Sequence, residues 1–108
     1  MSVYGTRVKS EKSLHVINVA FDDVDEGKVT FKFTLPSNTI IEEFVMYNIQ
    51  DEVKTASRIK FVFGKRSIVY KNLKTNEVHK ADVHVWKGGR MVCEISGVVS
   101  RLVLYYRV

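Results

Sequence analysis

Lys28-Val29-Thr30-Phe31-Lys32-Phe33-Thr34-Leu35 alternates without a fault. Val29, Phe31, Phe33 and Leu35 fall on one side of an extended chain, and Lys28, Thr30, Lys32 and Thr34 fall on the other. Successive strand side chains point to opposite faces, so the stretch reads as a strand with one face on a core and one in water. A helical period would scatter the same apolar residues around a cylinder.

The period-2 pattern continues in both directions. Leu14 to Phe21 sets His15, Ile17, Val19 and Phe21 against Leu14, Val16 and Ala20. With both faces apolar it is expected to be a buried central strand. Asp22-Asp23-Val24-Asp25-Glu26-Gly27 reads as a solvated turn, its glycine supplying positive φ. Pro36-Ser37-Asn38 breaks the ladder after Leu35. Arg58 to Phe63 aligns Ile59, Phe61 and Phe63, then Gly64-Lys65-Arg66 turns the chain into a short strand from Ser67 to Lys71. Lys74-Thr75-Asn76-Glu77 carries turn chemistry. Val78 to Trp86 sets Ala81, Val83 and Val85 against Asp82, His84 and Trp86. Lys87-Gly88-Gly89-Arg90 is the strongest hairpin signal, because a Gly-Gly centre allows primed turns. Met91 to Ile95 returns from it, and Gly97 opens a bend before Arg101 to Val108.

That last strand aligns Leu102, Leu104, Tyr106 and Val108. Its alternate face, Val103, Tyr105 and Arg107, is less polar than a solvated face should be, so a second layer of the fold or another subunit is expected to cover it. The ambiguous segment is Thr39 to Val53. Thr39-x-x-Glu42 fits a capping box, and Ile41, Val45, Ile49 and Val53 form an i, i+4 stripe. The β-branched and aromatic content favours a strand from about Thr39 to Ile49, followed by a turn at 50–52.

Strands recur every ten residues or so, about seven to nine in all, the spacing of a sandwich or barrel. The fold class is therefore all-β: an antiparallel β-sandwich or jelly-roll-like fold, with one short helix within 39–53 as the alternative. Residues 1–13, polar and basic, read as an N-terminal arm or edge strand, and 14–108 as a single β-sandwich domain. The 108 residues suffice to bury a core without staples.

Composition is that of a globular protein: 45% hydrophobic, 11% aromatic and 27% charged. Cys93 is the only cysteine, which rules out an internal disulfide or a cysteine-based zinc site within the chain. It reads as a small apolar residue on a strand face, suited to a reducing compartment or a particle assembled in one. Met1-Ser-Val-Tyr-Gly-Thr-Arg7 has no apolar signal segment, and no apolar run approaches the roughly 18 residues of a membrane span. The expectation is a soluble protein without membrane association.

No constellation carries chemistry. His79 and His84 are an odd number apart and face opposite sides of one strand, and His15 stands alone, so no metal is expected. The acidic turn lacks the spacing and terminal glutamate of a calcium loop. Glu42 and Glu43 are adjacent and diverge in a strand, so they cannot flank one bond. No Gly-x-Ser-x-Gly elbow is present, and Gly88-Gly89 is too short to cradle a phosphate. No enzyme, cofactor or small-molecule substrate is expected.

The functional signal is charge. Seventeen Lys and Arg oppose twelve Asp and Glu, for a net +5. Arg58, Lys60, Lys65, Arg66 and Lys71 crowd together around Tyr70, with Trp86, Lys87 and Arg90 close behind in sequence. These eight basic and Trp positions are the candidate interaction surface, because Trp and Arg are enriched at interface hot spots. A basic sheet face with aromatics is how OB-folds hold single strands; the plainer alternative is a solvated, lysine-rich face that protects strand edges.

Three stretches resemble the small β-sandwich accessory proteins of tailed-phage virions, of the decoration, head-fibre-base or tail-associated kind. They are Lys28 to Ile41 with its Leu35-Pro36 corner, Phe44 to Phe63, and Leu102-Val-Leu-Tyr-Tyr-Arg-Val108. The resemblance implies a non-enzymatic structural or assembly protein of a bacteriophage virion. Such a domain docks on a capsid or tail surface or forms a symmetric homo-oligomer, burying residues left outside the core such as Trp86, Val98 and Val99. The alternative is a single-stranded nucleic-acid-binding module with an OB-like barrel.

Overall fold

Eight strands form where alternation predicts them. They are β1 (Leu14–Ala20), β2 (Lys28–Leu35), β3 (Thr39–Tyr47), β4 (Ser57–Phe63), β5 (Arg66–Leu73), β6 (Val78–Val85), β7 (Gly89–Ser96) and β8 (Arg101–Arg107). The structure, a computed structural model, describes residues 13–20, 28–48, 53 and 57–108. The expected arm or edge strand over 1–13, the acidic turn at 22–27 and the turn at 50–52 fall, but for Ser13, outside the described residues.

The strands build two four-stranded sheets, in the orders β1-β8-β3-β6 and β2-β7-β4-β5. All pairings are antiparallel. Only β4 and β5 are consecutive strands paired within one sheet; every other connection crosses between sheets. That order is the double-sheet, eight-stranded jelly roll. At the β4–β5 hairpin Phe63 pairs with Arg66 across a two-residue turn, and Gly64 takes φ 58°, as a type II′ turn requires of its first central residue.

Thr39–Tyr47 is a strand, the reading favoured over a helix, and no helix occurs among the described residues. Two expectations change. β1 lies at an edge and is mostly exposed. Its second apolar set, Leu14 and Val16, faces outward, so two apolar faces did not signal central burial. Lys87-Gly88-Gly89-Arg90 does not close a hairpin, because β6 pairs with β3 while β7 pairs with β2 and β4. The glycines serve a crossing between sheets.

The core lies between the sheets. Phe44 of β3 meets Phe61 of β4 edge-on, with centroids 5.7 Å apart and planes at 83°. Ile41, Met46, Ile59, Met91, Cys93, Ile95, Leu102 and Leu104 are fully buried around them, and Val99 joins them. Val99 is thus not left outside the core. Full burial of such a side chain stabilises the fold by roughly 1.5–3 kcal/mol. The Tyr70 hydroxyl on β5 donates to the Ala81 carbonyl on β6 at 3.2 Å, a polar tie between the sheets. Burial pushes the Tyr70 phenol up, with the Asp82 carboxylate adding to it. Burial also pushes the Cys93 thiol up to about 12, with Glu94 contributing.

On β8, Leu102 and Leu104 pack into this core and Tyr106 against it. The second sheet covers that face, so Val103 and Tyr105 point outward. The β3 ladder shifts register between Ile41 and Glu43 against both β8 and β6. The shift moves the inward set from Thr39 and Ile41 to Phe44 and Met46.

Candidate functional site

The register fixes what each sheet shows to solvent. On the β2-β7-β4-β5 sheet the inward residues are Phe31, Phe33, Ile59, Phe61, Cys93 and their neighbours. The outward residues follow by alternation. Lys28 and Lys32 stand on β2, Arg90 on β7, Arg58 and Lys60 on β4, and Lys71 on β5. Glu94 is the one carboxylate among the described residues of this face, and Lys28 Nζ approaches its Oε1 to 3.7 Å. Val62 pairs with Val92 at the centre of the face, half-buried. The face is strongly cationic and anion-attracting.

The outer face of the β1-β8-β3-β6 sheet is different. Asn18, Val103, Val45 and Val78 form one row across it, and Val16, Tyr105, Glu43 and Lys80 the next. Val45 and Val103 are buried at its centre, while Leu14, Val16, Tyr47 and Val78 are exposed around them. Its charges are of both signs, and the Arg107 guanidinium Nε donates to Glu42 Oε2 at 2.7 Å.

At one end of the sandwich the β4–β5 turn meets the crossing from β6 to β7. Two shallow clefts adjoin there, of about 430 and 230 Å³, sharing Phe63, Val85 and Lys87. Arg90 lines the larger, and Arg66 and Trp86 line the smaller. The crossing is pinned from below by the Pro36-Ser37-Asn38 corner. The Asn38 N–H donates to the Trp86 carbonyl at 3.1 Å, and the Gly88 N–H donates to Ser37 Oγ at 3.1 Å. A Cβ on Gly88 would sit 2.6 Å from the Ser37 nitrogen and 2.7 Å from the Leu35 carbonyl oxygen, so only glycine fits this approach.

The indole of Trp86 stacks on the His84 ring, with centroids 3.6 Å apart and planes at 24°, yet Trp86 remains 67% exposed. His84 Nε2 is buried with no hydrogen-bond partner among the described residues, so stacking holds this ring. The other histidines lie elsewhere: His15 against Tyr106, and His79 against Phe44 with its Nε2 2.6 Å from the Lys74 carbonyl oxygen.

The structure therefore divides the sequence-predicted residues. Arg66, Trp86, Lys87 and Arg90 meet at the end clefts, and Lys65 stands in the turn beside them. Arg58, Lys60 and Lys71 lie on the cationic sheet face. Sequence reasoning singled out neither Lys28 and Lys32, which share that face, nor Phe63, Val85 and His84, which build the clefts and the stack. For the first two the signal was present, since their outward alternation on β2 was legible. His84 too was legible, two residues before Trp86 on the same side of the strand, whereas the part of Phe63 and Val85 depends on cross-sheet contacts with no local trace.

No protein-family model matches the chain, and no curated protein matches it. Among solved structures it is similar to the C-terminal domain of a structural protein from Sulfolobus turreted icosahedral virus. The identity is 17%, the TM-score 0.47, and the match covers 85% of this chain and 99% of that domain.

Proposed function

We propose that this jelly roll is a non-enzymatic structural protein of a virus particle, assembled in the host cytoplasm, which works through its surfaces. It docks on a capsid or tail surface, or assembles symmetrically with copies of itself. The observation that carries the reading is the outer face of the β1-β8-β3-β6 sheet. Leu14, Val16, Tyr47 and Val78 are exposed there around a buried Val45–Val103 centre. Large apolar side chains exposed together on one face and rimmed by polar residues are a mark of interaction sites. Strand edges beside it, β1 and β6, have no further strand paired to them among the described residues and offer backbone groups that assembly would satisfy.

Two further points support it. The jelly-roll order is shared with viral capsid domains, although lectin and cupin domains use it too, so this is fold-level analogy. The stretches around the Leu35-Pro36 corner and at 102–108 resemble phage accessory proteins. The OB-like barrel of the alternative reading does not match the strand order, which makes two four-stranded sheets.

Size-exclusion chromatography with light scattering, run across a concentration series, tests the assembly. It is paired with mass spectrometry of virus particles purified from the source of the gene. Oligomers, or the chain within particles, are the expected result. A strict monomer at high concentration that is absent from particles would overturn the proposal.

A further inference from the structure

We infer that the end cleft is a binding site for single-stranded nucleic acid, with Trp86 as a stacking platform for one base and Arg66, Lys87 and Arg90 as phosphate contacts. The ring is prepared for this. One face of the indole already rests on His84 at 3.6 Å, while most of the residue stays exposed beside the smaller cleft. A tryptophan held on one side loses little freedom when a second ring stacks on the other, so the ordering cost of binding is low.

The surrounding charge selects the partner. Arg66 and Lys87 line the cleft with Trp86, and Lys87 and Arg90 line its neighbour. A flat apolar ring among cations calls for a ligand that is planar and anionic at once. Nucleic acid joins bases to phosphates in that way, and only a single strand offers its base faces for stacking. A neutral sugar would leave the cations unused, and a base-free polyanion would leave the indole unused.

Arg90 also opens a path away from the cleft. It begins the outward set of β7, paired with Thr34 on β2 and diagonal to Lys32, with Lys60, Arg58 and Lys28 further along the same face around Glu94. From Arg90 to Ser96 the strand rises about 20 Å. That is room for several nucleotides of backbone, within the site sizes of known single-strand binders. No OB-like barrel is needed, since the cations and the ring come from a jelly roll's sheet face and end loops.

Trp86 is the only tryptophan of the chain, so intrinsic fluorescence reports this site alone. The protein is titrated with oligothymidylate and, separately, with polyphosphate, at low and raised salt; binding of labelled oligonucleotide is followed by anisotropy. The oligonucleotide should quench Trp86, and affinity should fall as salt rises through counterion release. Trp86→Ala should weaken binding about ten- to hundredfold, Trp86→Phe should retain part of the affinity, and Arg66→Gln should reduce the salt slope by about 0.7. Because Trp86 is largely exposed, circular dichroism should show both Trp86 variants folded. Absence of quenching at low salt, unchanged binding by Trp86→Ala, or equally tight binding of polyphosphate would overturn the inference. His84 shares the outer face of the β1-β8-β3-β6 sheet with Leu14, so the titrations are run at low protein concentration, below the range used to test assembly, where failure counts against this inference alone.

Discussion

The two sheets are alike within and opposite without. Each contributes one apolar layer to a shared core, with Phe44 of one sheet set edge-on to Phe61 of the other. Outside, the β2-β7-β4-β5 sheet shows Lys28, Lys32, Arg58, Lys60, Lys71 and Arg90, while the β1-β8-β3-β6 sheet shows Leu14, Val16, Tyr47 and Val78. Packing dictates the inner residues. Nothing in folding requires the outer sets to differ, so their difference reports what each face meets. An apolar face suits a protein surface, and a cationic face suits an anionic one.

The comparison breaks most easily from inside. Leu104 is fully buried, and its neighbour Val103 belongs to the outer face. Leu104→Ala should cost about 2–5 kcal/mol, read as a lowered urea midpoint, because the cavity opens in the layer both sheets share. A loss under about 0.5 kcal/mol, the scale of ordinary surface substitutions, would mean the core is misplaced. A smaller effect comes from Cys93. Its pKa is raised on folding, so the buried thiol favours the folded state below the ordinary thiol range. That contribution disappears as pH climbs towards about 12. Thiol reagents near pH 8 should therefore label Cys93 only after unfolding; rapid labelling of folded protein would contradict its burial.

Much of the inner half was legible because strand alternation is local. The run Lys28 to Leu35 reads directly, and so do Ile59, Phe61, Leu102 and Leu104. The rest was hidden by features that need a partner strand. On β3 the register shift between Ile41 and Glu43 places Ile41 and Phe44 on the same side, three residues apart. The i, i+4 stripe that suggested a helix is split by the strand, with Ile41 in the core and Val45 on the outer face. On β1 the outer apolar set made an edge strand look central. At 87–90 glycine is demanded by the close approach of Gly88 to Leu35 and Ser37, and a sequence shows only that glycine is there. The candidate cations were read as one cluster by proximity in the chain, whereas pairing sends Arg58, Lys60 and Lys71 to the sheet face and Arg66, Lys87 and Arg90 to its end.

The smallest expected effect on stability is also the most telling about assembly. Val16 and Val78 are 52% and 61% exposed, on opposite edge strands of the apolar face. Replacing both by lysine should change stability by no more than about 0.5 kcal/mol per site. Sedimentation velocity on wild type and on the Val16→Lys, Val78→Lys double variant, at matched high concentration, is the direct measurement. An assembled wild type beside a folded, monomeric variant is expected. A variant that assembles as well as the wild type, or a wild type that stays monomeric and is absent from virus particles, would contradict the assignment of this face to assembly.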